Sequence, residues 1–268
     1  YRHDHRNRKR ISNNSIWALK EDREGVLRIG TYGGLNRFDP ETEQFDRFIH
    51  DPNDKQSISH NIVRSILIDS KDRVWAGTYR GLDLLNPEGK TFTHFKHQSD
   101  HPELNRNGAI WSIIEDSRKN IWIGSQLGFA QFDQKSETFL YYKHQKENPY
   151  SISNDVIRVI IEDSDKKLWI GTRFGGLNRF DPMTKRFTRY QYQSDNPDSL
   201  SNNAVWTICE DSQKNIWLGT EDGLNLWDRN ADRFRRFIHR QDDPDSISNS
   251  FIYALTEDNT RNLWIGTF

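Results

Sequence analysis

The chain is 268 residues long, and its 38 Lys and Arg balance 39 Asp and Glu, which removes the electrostatic footprint of a nucleic-acid binder. No apolar run is long enough to span a bilayer, no signal-peptide pattern is present, and a single cysteine, Cys209, excludes an intramolecular disulfide. A hydrophobic content of 34% leans towards disorder, yet nine Trp, fifteen Phe and nine Tyr recur at fixed phases, as disordered chains do not arrange them.

In chain order, the first unit predicts four short strands near residues 14–21, 26–31, 35–39 and 44–50, each followed by turn chemistry. The second strand ends in Leu27-Arg28-Ile29-Gly30-Thr31, and this phrase returns with Trp in place of Arg28, as in Val74-Trp75-Ala76-Gly77-Thr78 and Leu168-Trp169-Ile170-Gly171-Thr172. The aligned glycines are 30, 77, 124, 171, 219 and 266, a step of 47 residues that lengthens once to 48. The longer step has a visible source, because the turn Tyr32-Gly33-Gly34 becomes Arg173-Phe174-Gly175-Gly176. No window has the length and period of a helix. Four antiparallel strands repeated at this period predict an all-β fold of β-propeller blades rather than a solenoid. Residues 1–268 then form one propeller domain of five full repeats with partial units at both ends, read as a piece of a larger array with open edges that a second copy could cover in a homodimer.

Stretches such as Ser151-Ile152-Ser153-Asn154 and Gly175-Gly176-Leu177-Asn178-Arg179-Phe180-Asp181-Pro182 resemble the two-component regulator propeller repeat. The resemblance covers essentially the whole chain; its departures are Arg28 for the repeat Trp and Asn105-Arg106 for Ile-Ser in the third unit. It implies a seven-bladed ring in the periplasmic sensor region of a membrane-bound regulator. The partners it implies are the other domains of such a sensor, ending in a histidine kinase or a diguanylate cyclase.

Columns that hold steady across repeats read as scaffold. The Trp75, Trp122, Trp169, Trp217 and Trp264 column predicts packing between blades, and Glu115-Asp116, Glu162-Asp163 and Glu210-Asp211 read as turn chemistry rather than catalytic carboxylates. His3, His50, His97, His144 and His239 share a column, with Gln191 assigned to its gap; spread over different blades, they predict structural hydrogen bonds and no metal site. Cys209 falls in a core column, and Trp227-Asp228 is a chance echo of the WD signature.

The early position of the first strand behaves differently. It reads Trp17, Arg64, Trp111, Arg158, Trp206 and Tyr253, followed by the small or short residues Ala18, Ser65, Ser112, Val159, Thr207 and Ala254. The variable turn after the second strand adds Tyr32, Tyr79 and Arg173 at the same end of the sheet. Aromatic faces suit sugar rings and Arg suits carboxylates, so this set is the candidate ligand site at a channel mouth, with an oligosaccharide or other small ligand as partner. The competing structural reading is that these side chains plug the channel. No acid, base and nucleophile set breaks the repeat symmetry, so the expectation is a non-catalytic sensing module without a cofactor. A lyase- or hydrolase-type propeller enzyme and a protein-binding scaffold are the alternatives.

Overall fold

The computed structural model describes residues 1–95 and 108–268, so His97, Asn105 and Arg106 lie outside the described residues. Every regular element among the described residues is a strand. The first sheet contains β1 (Ile16–Glu21), β2 (Leu27–Thr31), β3 (Gly34–Asp39) and β4 (Gln44–Phe48). The second contains β5 (Val63–Ile68), β6 (Val74–Thr78), β7 (Gly81–Leu85) and β8 (Phe92–Phe95). The third contains β9 (Ile110–Glu115), β10 (Ile121–Ser125), β11 (Gly128–Asp133) and β12 (Thr138–Tyr142). The fourth contains β13 (Ile157–Glu162), β14 (Leu168–Thr172), β15 (Leu177–Asp181) and β16 (Arg186–Tyr190). The fifth contains β17 (Val205–Glu210), β18 (Ile216–Thr220), β19 (Gly223–Asp228) and β20 (Arg233–Phe237), and the sixth pairs β21 (Ile252–Glu257) with β22 (Leu263–Thr267).

Strands neighbour one another in sequence order within each sheet, and the pairing is antiparallel, which is the meander of a propeller blade. The four strands expected in the first unit lie within two residues of their predicted limits. The chain forms two compact units, residues 1–140 and 141–268. Within each unit the first strands are neighbours: β5 beside β1 and β9 beside β5 in one, β17 beside β13 and β21 beside β17 in the other.

The core lies between consecutive blades. Leu35 of the first blade joins Val63, Ile66, Val74 and Phe92 of the second. Trp75 joins Ile110, Ile121 and Phe132 of the third. In the second unit Trp169 packs with Val205, Ile208 and Leu218, and its ring meets Trp227 edge-on at 4.7 Å. The repeat glycine belongs to the same contact. A Cβ on Gly171 would lie 2.8 Å from Cγ1 of Val205, on the first strand of the next blade, so only a bare Cα admits the neighbour this closely.

The steady Glu-Asp pairs have two jobs, and Asp69, which follows Ile68 instead of a Glu, shares the first. Each Asp accepts the indole N–H of the Trp six residues later, at 2.7–2.9 Å, while its other oxygen accepts backbone N–H groups of the hairpin turn, as at Asp163. Burial raises the Asp69 and Asp211 carboxyls, but these hydrogen bonds outweigh it and hold both below the ordinary carboxylate range. The Glu reaches the preceding blade: Glu115 accepts from Ser70 and Glu210 from Ser164, each through a backbone N–H and a hydroxyl. Turn chemistry alone therefore understates the motif, which also ties blade to blade.

The four described histidines of the column make the same hydrogen bond. Nδ1 of His3, His50, His144 and His239 faces the carbonyl of the Ile eight residues later at 2.8 Å, which puts the proton on Nδ1. The gap in this column is filled by Tyr192, not Gln191. Its backbone N–H donates to the residue eleven positions on, as in His144 and His239, because the extra residue in the 173–176 turn shifts the register by one. Cys209 is half-buried, and burial pushes its thiol up. Trp227 is buried and donates to Asp232.

Candidate functional site

All six residues of the variable first-strand column are β-bulges. Ala18 pairs with Gly30 and Ile16 with Thr31, leaving Trp17 without a partner on β2; Arg64, Trp111, Arg158, Trp206 and Tyr253 are skipped in the same way. A bulge adds one residue to a strand and re-aims its side chain. The sequence signs of this are the large residue, the short residue after it and the glycine paired across from that short residue, although the bulge itself went unrecognised.

In the first unit four of the predicted residues meet. The Arg64 guanidinium lies over the Trp17 ring, 3.5 Å from its centroid, and its Nη2 donates to the hydroxyls of Tyr32 and Tyr79, both at 3.2 Å. Tyr32 also packs against Trp17, with ring centroids 5.4 Å apart. His60, which sequence reading missed, stacks on Tyr79 at 5.7 Å. Burial, with Arg80 and His50 nearby, holds the His60 imidazole below its ordinary value, and its Nδ1 accepts the Ile62 N–H. Trp17 and Tyr32 remain 37% and 38% exposed, so each keeps an open face. Trp111 occupies the bulge of β9 and is half-buried.

In the second unit Arg158 lies 4.3 Å from the Trp206 ring centroid, and Trp206 packs against Tyr253 at 5.0 Å. Phe251, also missed, stacks on Tyr253 at 4.8 Å. The indole N–H of Trp206 donates to Glu221 at 3.2 Å, which puts an acid beside this set. Arg173 sits apart in its turn, over the Phe174 ring.

A separate cleft of about 630 Å³ runs along β20, lined by Tyr192, Asp198, Arg233, Arg236 and Ile238. Its charges are largely engaged by the scaffold: Arg236 donates to the carbonyls of Asn196 and Ser199, and Arg233 faces Asp198 at 3.7 Å. Among the described residues no group of His, Cys, Asp and Glu could hold a metal ion.

Repeated four-stranded antiparallel blades with bulged first strands define a β-propeller repeat protein. Residues 57–80, 104–126, 151–174, 199–222 and 246–268 match the two component regulator propeller, so the chain carries five of these repeats. Among solved structures it is similar to the extracellular domain of a hybrid two component system from Bacteroides thetaiotaomicron, at 25% identity and a TM-score of 0.80 over all of this chain and 34% of that one. A second such extracellular domain from that organism matches at 22% identity and a TM-score of 0.53, over 97% of this chain and 40% of the other. Virginiamycin B lyase from Staphylococcus aureus shares the fold at 13% identity and a TM-score of 0.67, over 94% of this chain and 77% of the lyase. The chain thus spans about a third of the length of the first of these. No curated protein matches it.

Proposed function

We propose that this chain is the non-catalytic sensing propeller of a membrane-bound signal-transduction regulator, acting outside the cytoplasm and binding an oligosaccharide at its bulged first strands. The observation that carries this reading is the bulge column. The scaffold columns of Trp, Asp and Gly recur almost unchanged, whereas the bulge column varies between aromatic and guanidinium side chains at positions left out of the strand pairing. Exposed aromatic faces beside Arg suit a sugar ring and its substituents. The extracellular domains among the structural relatives support the compartment, and their two-component systems support the role and the partners, the remaining domains of the same regulator. No helix among the described residues is long and apolar enough to cross a membrane.

The test is thermal unfolding against a panel of oligosaccharides. A ligand at 100 times its Kd should stabilise the fold by about 2.7 kcal/mol. Binding that persists unchanged in Trp17→Ala and Trp206→Ala would remove the bulge column from the site, and turnover of any member of the panel would make the chain an enzyme.

A further inference from the structure

The first-unit cluster contains a cation without a counter-ion. Among the described residues no carboxylate lies within ion-pair distance of Arg64, and the groups around its guanidinium are the rings of Trp17, Tyr32 and Tyr79. Its Nη2 hydrogens go to two phenol oxygens, Nε is buried without an acceptor, and Nη1 makes no hydrogen bond among the described residues. The neighbouring charge adds to the same sign, because Arg80 follows Tyr79 and is exposed. Asp83, an acid of the same blade, is already committed: its Oδ2 accepts from the Ser59 backbone and hydroxyl and its Oδ1 faces His94. In the second unit the turn position that Tyr32 and Tyr79 occupy here holds an acid, Glu221, which accepts from the Trp206 indole, whereas the first unit has phenols there.

A guanidinium clamped flat on an indole has already lost its rotamer freedom, so a ligand meets no ordering cost there. The rings also exclude water from one face, which strengthens attraction to an anion. A plugging arginine would be expected to find an acid or a carbonyl; this one keeps hydrogen-bonding capacity unused. Resting on the saccharide reading above, we infer that Arg64 is the anion-reading group of this site and that its ligand is a saccharide bearing an anionic group, a carboxylate or a sulfate, with a sugar ring against the open faces of Trp17 and Tyr32.

The test is calorimetric titration of the protein with trisaccharides of galacturonate, glucuronate and mannuronate. Each is paired with its carboxyl-reduced neutral counterpart, and an O-sulfated form of each neutral trisaccharide distinguishes sulfate from carboxylate. At least one anionic member should bind ten-fold or more tightly than its neutral partner. Arg64→Gln should lower that affinity ten-fold or more and leave the neutral partner within two-fold, while Arg64→Lys, which keeps the charge but loses the planar fork, should fall between. Melting curves report whether the variants fold, and Tyr79→Phe, which removes one of the two phenol acceptors, should shift the anionic affinity even if Arg64→Gln does not fold. Equal binding of charged and neutral members that is lost in Trp17→Ala overturns the role of Arg64 and leaves the saccharide reading standing. No binding, or binding indifferent to both Trp17 and Arg64, overturns both.

Discussion

The repeat supplies its own control for the worth of the motif tryptophan. Trp169 and Trp264 occupy the same column, and each donates its indole N–H to an Asp six residues earlier, at 2.7 and 2.8 Å. They differ in burial: Trp169 is fully buried between two blades, whereas Trp264 is 62% exposed. Trp169→Ala removes a large core side chain, a loss of about 3–5 kcal/mol. It also takes a donor from Asp163, which is buried, adding about 1–3 kcal/mol. Trp264→Ala loses an exposed hydrogen bond and little packing, worth about 1 kcal/mol or less. Urea unfolding followed by circular dichroism reads both, since tryptophan fluorescence changes with the substitution itself. Equal losses in the two variants would refute the argument that burial between blades, rather than the Asp–Trp bond, gives this residue its weight.

Gly171→Ala should destabilise by about 1–3 kcal/mol, because its Cβ would lie 2.6 Å from Cγ1 of Val159 and 2.8 Å from Cγ1 of Val205; a neutral result in the same unfolding assay would mean that the blades can slide apart. Lys166 holds a φ of 62° at the turn position where the first unit has Gly25, so Lys166→Gly should leave stability unchanged or raise it by up to about 1 kcal/mol, and a clear loss would contradict this. Asp69 and Asp211 are held below the unfolded carboxylate value of about 3.9, so their contribution is present above that pH and is lost as the pH falls through their lower folded values; urea midpoints should drop below pH 4, and Asp211→Asn should blunt the drop. In the second blade Asp83 and His94 stand where other blades have Asn36 with Arg47 or Asn225 with Arg236; Asp83→Asn and His94→Arg should each cost about 1–3 kcal/mol, and the double variant should recover much of the loss, whereas strict additivity would show the two are not coupled.

Much of the fold was legible because a repeat displays its constraints several times over. The 47-residue step, the turns after each run and the Trp-x-Gly-Thr phrase were enough to predict strands close to those observed. What stayed hidden are interactions whose partners are distant in sequence and not of a telling type. The Ser-Ile-Ser loop, Ser199-Leu200-Ser201 in the fifth blade, is one: the Ser201 backbone donates to Asn225 and its hydroxyl meets Thr220. Ile58 and Ile152 are fully buried there, yet nothing in the local pattern says which face of a loop is covered. The assignment of Gln191 failed for a simpler reason: the one-residue insertion in the 173–176 turn moves every later position by one, and the column was not shifted with it, as the Tyr192 hydrogen bond makes plain.

The candidate site was legible as a column and illegible as a cluster. Variation at one strand position points to side chains that packing does not dictate, and the bulge explains why packing lets them vary. The ladder resumes at the short residue that follows, paired with the repeat glycine, so whatever occupies the bulge leaves the register intact. Trp, Arg and Tyr can therefore be exchanged there without repacking the interface between blades, which is set by residues on the other side of that pairing. The contacts made by a bulged side chain depend on the bulge and turn of its neighbours, as Arg64 depends on Trp17, Tyr32 and Tyr79. A column read along one repeat cannot supply that information. It arises only when adjacent first strands are brought side by side, so on the proposed saccharide reading specificity belongs to pairs of blades, and an exchange of Arg64 should alter ligand preference while leaving the core of the first unit as it is.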